Sequence, residues 1–162
     1  MRTIILPRRT SRSQKARTFE WPLEVQTARA AREAVRKTLT TWGVQEGDIY
    51  FAVLLASEVV TNAIQHVRPK LRRGGTMWLR VCLMDGRLRV DVTDPEPGFP
   101  VHIAASDTDE NHRGMAVVAG CSDRWGWRPG PNGGKTVWWT QILEAPEPLP
   151  LTPRFRRIRR RH

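Results

Sequence analysis

Apolar positions along this chain follow two periods. From about Leu23 to Trp42, Ala28, Ala31, Val35, Leu39 and Trp42 recur every three or four residues, which predicts a helix with one buried face. Pro22 is placed to open that helix and Gly43 to cap it. A second helix is predicted to run to about Val67, with Asp48 as N-cap and Pro69 as its stop. Its apolar residues are Phe51, Leu54, Leu55, Val59, Ala63 and Ile64. The period then changes to two. Met77, Leu79, Val81 and Leu83 alternate with Trp78, Arg80 and Cys82, Asp85-Gly86 signals a type I′ hairpin, and Leu88, Val90 and Val92 share one face of the returning strand. Thr18 to Trp21 reads as a short entering strand. A loop rich in Pro, Asp and Gly spans Asp94 to about His112, and Gly114 to Ala119 reads as a short helix. Strands from Asp123 to Trp127 and from Lys135 to Leu143 flank the Pro129–Gly134 turn.

This order predicts an α+β fold, a two-layer sandwich with helices on one face of a mixed, mostly antiparallel sheet. A long loop in the middle of a compact domain is more often functional than not. The net charge of +11 is concentrated at the ends. Residues 1–17 carry six basic residues and no acid, and residues 154–162 carry six more and no acid. The segment between them holds 15 basic and 16 acidic residues and is nearly neutral. The chain therefore divides into a basic, disordered N-terminal tail (1–17), a folded domain (18–144), and a proline-rich, then basic C-terminal tail (145–162). Such tails attract polyanions, but no base-reading motif supports nucleic-acid binding as the main function. No run of about 18 apolar residues predicts a membrane span, and Met1 to Leu6 is too short for a signal peptide. Cys82, Cys121 and the four histidines show no metal-ligand spacing. These features predict a cytoplasmic protein with reduced, packed thiols.

Chemistry is concentrated at three places. Glu58 and Asn62 are four apart in an apolar helix, so they share one face and need polar partners. An Asn oxygen can ligate Mg2+, and a Glu can take a proton from a hydroxyl. Asp94 ends a β-branched strand, where a carboxylate can accept a hydrogen bond from an exocyclic amine, and Gly98 leaves room for a ring. Asp94 could equally begin an Asx turn. Arg113-Gly114 opens the short helix, where free N–H groups and a guanidinium suit phosphate. Gly130 to Thr136 does not make a P-loop. Pro129 stands where that motif needs glycine, and a strand follows instead of a helix.

Four blocks in this order carry a resemblance: Glu58 to His66, Asp94 to Gly98, Arg113-Gly114-Met115, and Gly134-Lys135-Thr136-Val137-Trp138. The chain resembles the histidine-kinase-like ATPase superfamily, in particular the small anti-sigma factor serine/threonine kinases of actinobacterial type. The resemblance covers roughly residues 20–143. It implies a sandwich that clamps ATP and Mg2+ between helices and a mobile loop. It also implies Asn62 as metal ligand, Glu58 as catalytic base, and Asp94 on the adenine amine. Gly98 would line the adenine pocket, Arg113 and Gly114 would meet phosphate, and Thr136 would support the adenine site. His66 takes a structural role, and 99–112 becomes the nucleotide lid. The implied partners are an anti-anti-sigma protein of STAS type and a sigma factor, and homodimerisation stays open.

Two departures stand out. Glu96, between Pro95 and Pro97, and His112 occupy positions where that family usually has glycine. They predict weakened ATP binding, and they keep open an alternative: a catalytically weak or inactive partner-binding module on the same fold.

Overall fold

The computed structural model describes residues 14–98 and 113–144. Along these, the elements are β1 (Lys15–Pro22), α1 (Val25–Thr41), α2 (Glu46–His66), α3 (Pro69–Arg72), β2 (Thr76–Met84), β3 (Arg87–Asp94), α4 (Arg113–Cys121), β4 (Arg124–Pro129) and β5 (Lys135–Ile142). The strands form one sheet in the order β1-β2-β3-β5-β4. Every described pairing is antiparallel, so no parallel strand pair is present among the described residues.

The period-2 alternation decides which face is covered. Leu79, Val81, Leu88, Val90, Val92, Val137 and Trp139 are buried on one face, together with Ala31, Val35 and Leu39 of α1, Leu55, Val59 and Val60 of α2, and Met115 and Val118 of α4. Each fully buried large side chain in this layer contributes about 1.5–3 kcal/mol. The other face carries Trp78, Arg80, Arg89, Asp91 and Trp138. Arg89 lies 4.4 Å over the Trp138 ring and pairs with Asp91 at 2.9 Å. By length and composition α2 could cross a membrane. Its apolar side is instead the centre of this core, packed against α1 on one flank and α4 on the other.

Four local expectations are corrected. Pro22 closes β1, paired with Thr76, rather than opening α1. Strand β1 starts at Lys15, inside the segment assigned to the basic tail, because Lys15, Ala16 and Arg17 pair with Leu83, Cys82 and Val81. Asp48 lies within α2, whose N-cap is Gln45. Its buried carboxylate accepts from Gln141 Nε2 at 3.1 Å and from the Glu144 N–H at 2.9 Å, which ties the end of β5 to the start of α2. Cys82 is buried but Cys121 is exposed, so only one thiol is packed. The hairpin matches its sequence signal. Asp85 and Gly86 both have positive φ, 57° and 72°, as a type I′ turn requires.

Candidate functional site

The ends of β3, β5 and α2 meet at one edge of the domain. Asp94 is the last residue of β3 and lies opposite Lys135, the first of β5. Both point to the helix-covered face and both are buried. Lys135 Nζ lies 2.9 Å from Asp94 Oδ1, and the Glu96 N–H donates to the same oxygen at 2.8 Å. This second contact is the Asx turn open to Asp94 from its sequence context. Burial pushes the Asp94 carboxyl above its ordinary value of 3.8, while the Lys135 charge pulls it back.

Glycine is required at two positions here. A Cβ on Gly134 would fall 2.2 Å from the Asp94 carbonyl oxygen and 2.9 Å from Pro95 Cα, so only glycine lets β5 begin this close to the end of β3. Gly98 has φ of +93°, a conformation that side chains other than glycine rarely adopt.

Glu58 and Asn62 lie on one side of α2, with Asn62 about 6 Å further along the axis. Both are half-buried, while the adjacent Val59 and Ala63 belong to the core. Neither makes a hydrogen bond or ion pair with a described residue. Arg32 of α1 donates to Ser57 Oγ at 3.1 Å and braces the helix beside Glu58.

Helix α4 packs along α2. Its C-terminal Cys121 and the following Ser122 line a cleft with Asp48 and Phe51, at the start of α2. The two helices therefore run in opposite directions. The N-terminus of α4, at Arg113 and Gly114, is the end of that helix away from this cleft. The placement of the Arg113 side chain and the expected lid, 99–112, with His112, lie outside the described residues.

Glu96 does not stand free at this edge. Its carboxylate takes the Arg68 Nε at 2.7 Å and the Arg68 backbone N–H at 2.8 Å, just beyond α2. Thr136 is placed apart from the group. It pairs with Thr93 on the opposite face of the sheet, where the two hydroxyls are 2.8 Å apart. The expected support of an adenine site by Thr136 is therefore not carried by this geometry. Lys135 is not among the residues the sequence singles out, because its place opposite Asp94 comes from the β3–β5 register.

The donor set suits ATP with Mg2+. One amide oxygen and one carboxylate on α2 are too few to cage a cation alone, and among the described residues no group of three or more His, Cys, Asp or Glu could do so. Mg2+ is commonly held by one or two protein oxygens together with substrate phosphates. A cleft of about 540 Å3 lined by Trp42, Val44, Leu83 and Leu143 lies at the opposite end of the sheet, away from these groups.

The sequence profile of the histidine kinase-like ATPase domain matches residues 21–140. An uncharacterized protein of Streptomyces coelicolor, SCO4941, is 36% identical over 70 residues, covering 41% of this chain and 67% of that protein. Among solved structures, the RsbU and RsbW domains of Rv1364c from Mycobacterium tuberculosis match with a TM-score of 0.61 at 23% identity. The match covers 82% of this chain, which spans only 33% of that longer chain. The likeness is one of fold.

Proposed function

Since the chain belongs to the histidine kinase-like ATPase domain family, we infer that it is an ATP-binding regulator that phosphorylates a serine or threonine on an anti-anti-sigma partner of STAS type. The observation that carries this reading is the pair Glu58 and Asn62: half-buried, on one side of α2, and without protein partners among the described residues.

When bound, ATP would transfer its γ-phosphoryl group to the target hydroxyl oxygen and leave as ADP, and Mg2+ would offset the phosphate charge. Asn62 would hold the cation through its amide oxygen. Glu58, one helical turn away, accepts the proton from the target hydroxyl. Asp94 accepts from the adenine amine, Gly98 admits the ring, and Arg113 with the Gly114 backbone meets the phosphates. Positioning and electrostatics supply most of the rate in such transfers. Sequestration of a sigma factor and a cytoplasmic location belong to the same proposal.

The test is transfer of radiolabelled phosphate from ATP to candidate STAS-type proteins, with Glu58→Ala beside the unmodified protein. Label on the partner that is lost in the variant supports the kinase. ATP binding without transfer to any of them assigns a nucleotide-bound scaffold instead.

A further inference from the structure

Lys135 is the one Lys or Arg side chain among the described residues that is fully buried. Its Nζ bonds Asp94 Oδ1 at 2.9 Å and the Glu96 carbonyl oxygen at 3.3 Å. The Glu96 N–H reaches the same Oδ1. Among the described residues the two contacts to the Asp94 carboxylate both end on Oδ1 and none on Oδ2. A carboxylate oxygen can accept two hydrogen bonds, so Oδ1 is filled.

We propose that Lys135 is a positioning residue that sets nucleobase specificity: by filling Oδ1 it leaves Oδ2 as the acceptor for an exocyclic amine. This deepens the nucleotide reading of the site and rests on it. An amine at the six position of a purine donates to Oδ2, whereas a keto oxygen there would face a carboxylate and be repelled. The role requires Asp94 to stay ionised in a buried place. Burial pushes its carboxyl upward, and Lys135 opposes this by its charge and its hydrogen bond. The other charged group acting on Asp94 is Glu96, which raises it, and Arg68 after α2 pairs with Glu96. An ammonium in fixed contact with one oxygen thus orients the carboxylate and preserves its accepting form.

The test is calorimetric titration of the full chain with Mg2+·ATP and with Mg2+·ITP, whose base has a keto oxygen in place of the amine. It uses the unmodified protein, Lys135→Met and Lys135→Arg, from pH 5.5 to 8. Lys135→Met is expected to lose roughly tenfold or more in ATP affinity and most of the preference for ATP over ITP. Its affinity should also fall at a higher pH on acidification, because the influence that lowers the Asp94 pKa is gone. Lys135→Arg should keep the preference. Where Lys135→Met does not fold by circular dichroism, Lys135→Ala replaces it, as a side chain that neither donates nor carries charge. An unchanged ATP/ITP preference with a parallel pH profile in a folded, uncharged variant overturns the inference while the nucleotide site stands. Absence of ATP binding by the unmodified protein overturns both.

Discussion

The Glu96 carboxylate holds Arg68 at two points, the side-chain Nε at 2.7 Å and the backbone N–H at 2.8 Å. Glu96 stands where this family usually has glycine, and a free acid at that position would weaken ATP binding by repelling phosphate. The structure turns it onto the end of α2 instead, where it fixes the exit of the helix that carries Glu58 and Asn62.

Glu96→Ala therefore tests two accounts. If Glu96 braces α2, the variant loses about 0.5–2 kcal/mol of stability, a range discounted because Arg68 is largely exposed, and gains no ATP affinity. Urea denaturation and ATP titration check this. Unchanged stability with tighter ATP binding would support repulsion and remove the bracing role.

Asp48 joins the start of α2 to the end of β5 through Gln141 and the Glu144 backbone. Asp48→Ala leaves the Gln141 amide without its carboxylate partner in a buried place, at a cost of about 1–3 kcal/mol. The midpoint of urea unfolding should fall while the denaturant slope is kept. A midpoint unchanged from that of the unmodified protein would show that the link does not stabilise the fold.

Acid titration should show Asp94. Its folded-state pKa is raised above 3.8, mainly by burial. In the window just above 3.8 the native state binds more protons than the unfolded state, so stability from this group falls as pH rises. It is fully present below 3.8 and lost through the raised pKa. The unfolding free energy of the unmodified protein minus that of Asp94→Asn should decline with rising pH across that window, then level off. A difference that grows with pH would mean that the Lys135 pair outweighs burial.

Much of this was legible in the sequence, for physical reasons that differ by element. The alternation in β2 and β3 fixed which side chains enter the core, because a slip of one residue would expose all of them. The pair Glu58 and Asn62 was legible because polar groups in an apolar helix need partners. Pro22 misled because proline suits both a first helical turn and a strand end, and the pairing with Thr76 is a long-range fact. Asp48 misled because an acid near a helix start reads as a cap until Gln141, far along the chain, reaches it. Lys135 stayed hidden for the same reason: its register opposite Asp94 comes from the β3–β5 pairing. The adenine role of Thr136 comes from the resemblance alone, and strand alternation puts its side chain on the other face.

The central claim is that α2 and the β3–β5 edge form an ATP site. Calorimetric titration of the unmodified protein and of Asn62→Ala with Mg2+·ATP at neutral pH tests it most directly. The account predicts saturable heat at one ATP per chain, weakened about tenfold or more in Asn62→Ala by loss of a cation ligand. No heat from an unmodified protein whose fold is confirmed by circular dichroism would contradict it.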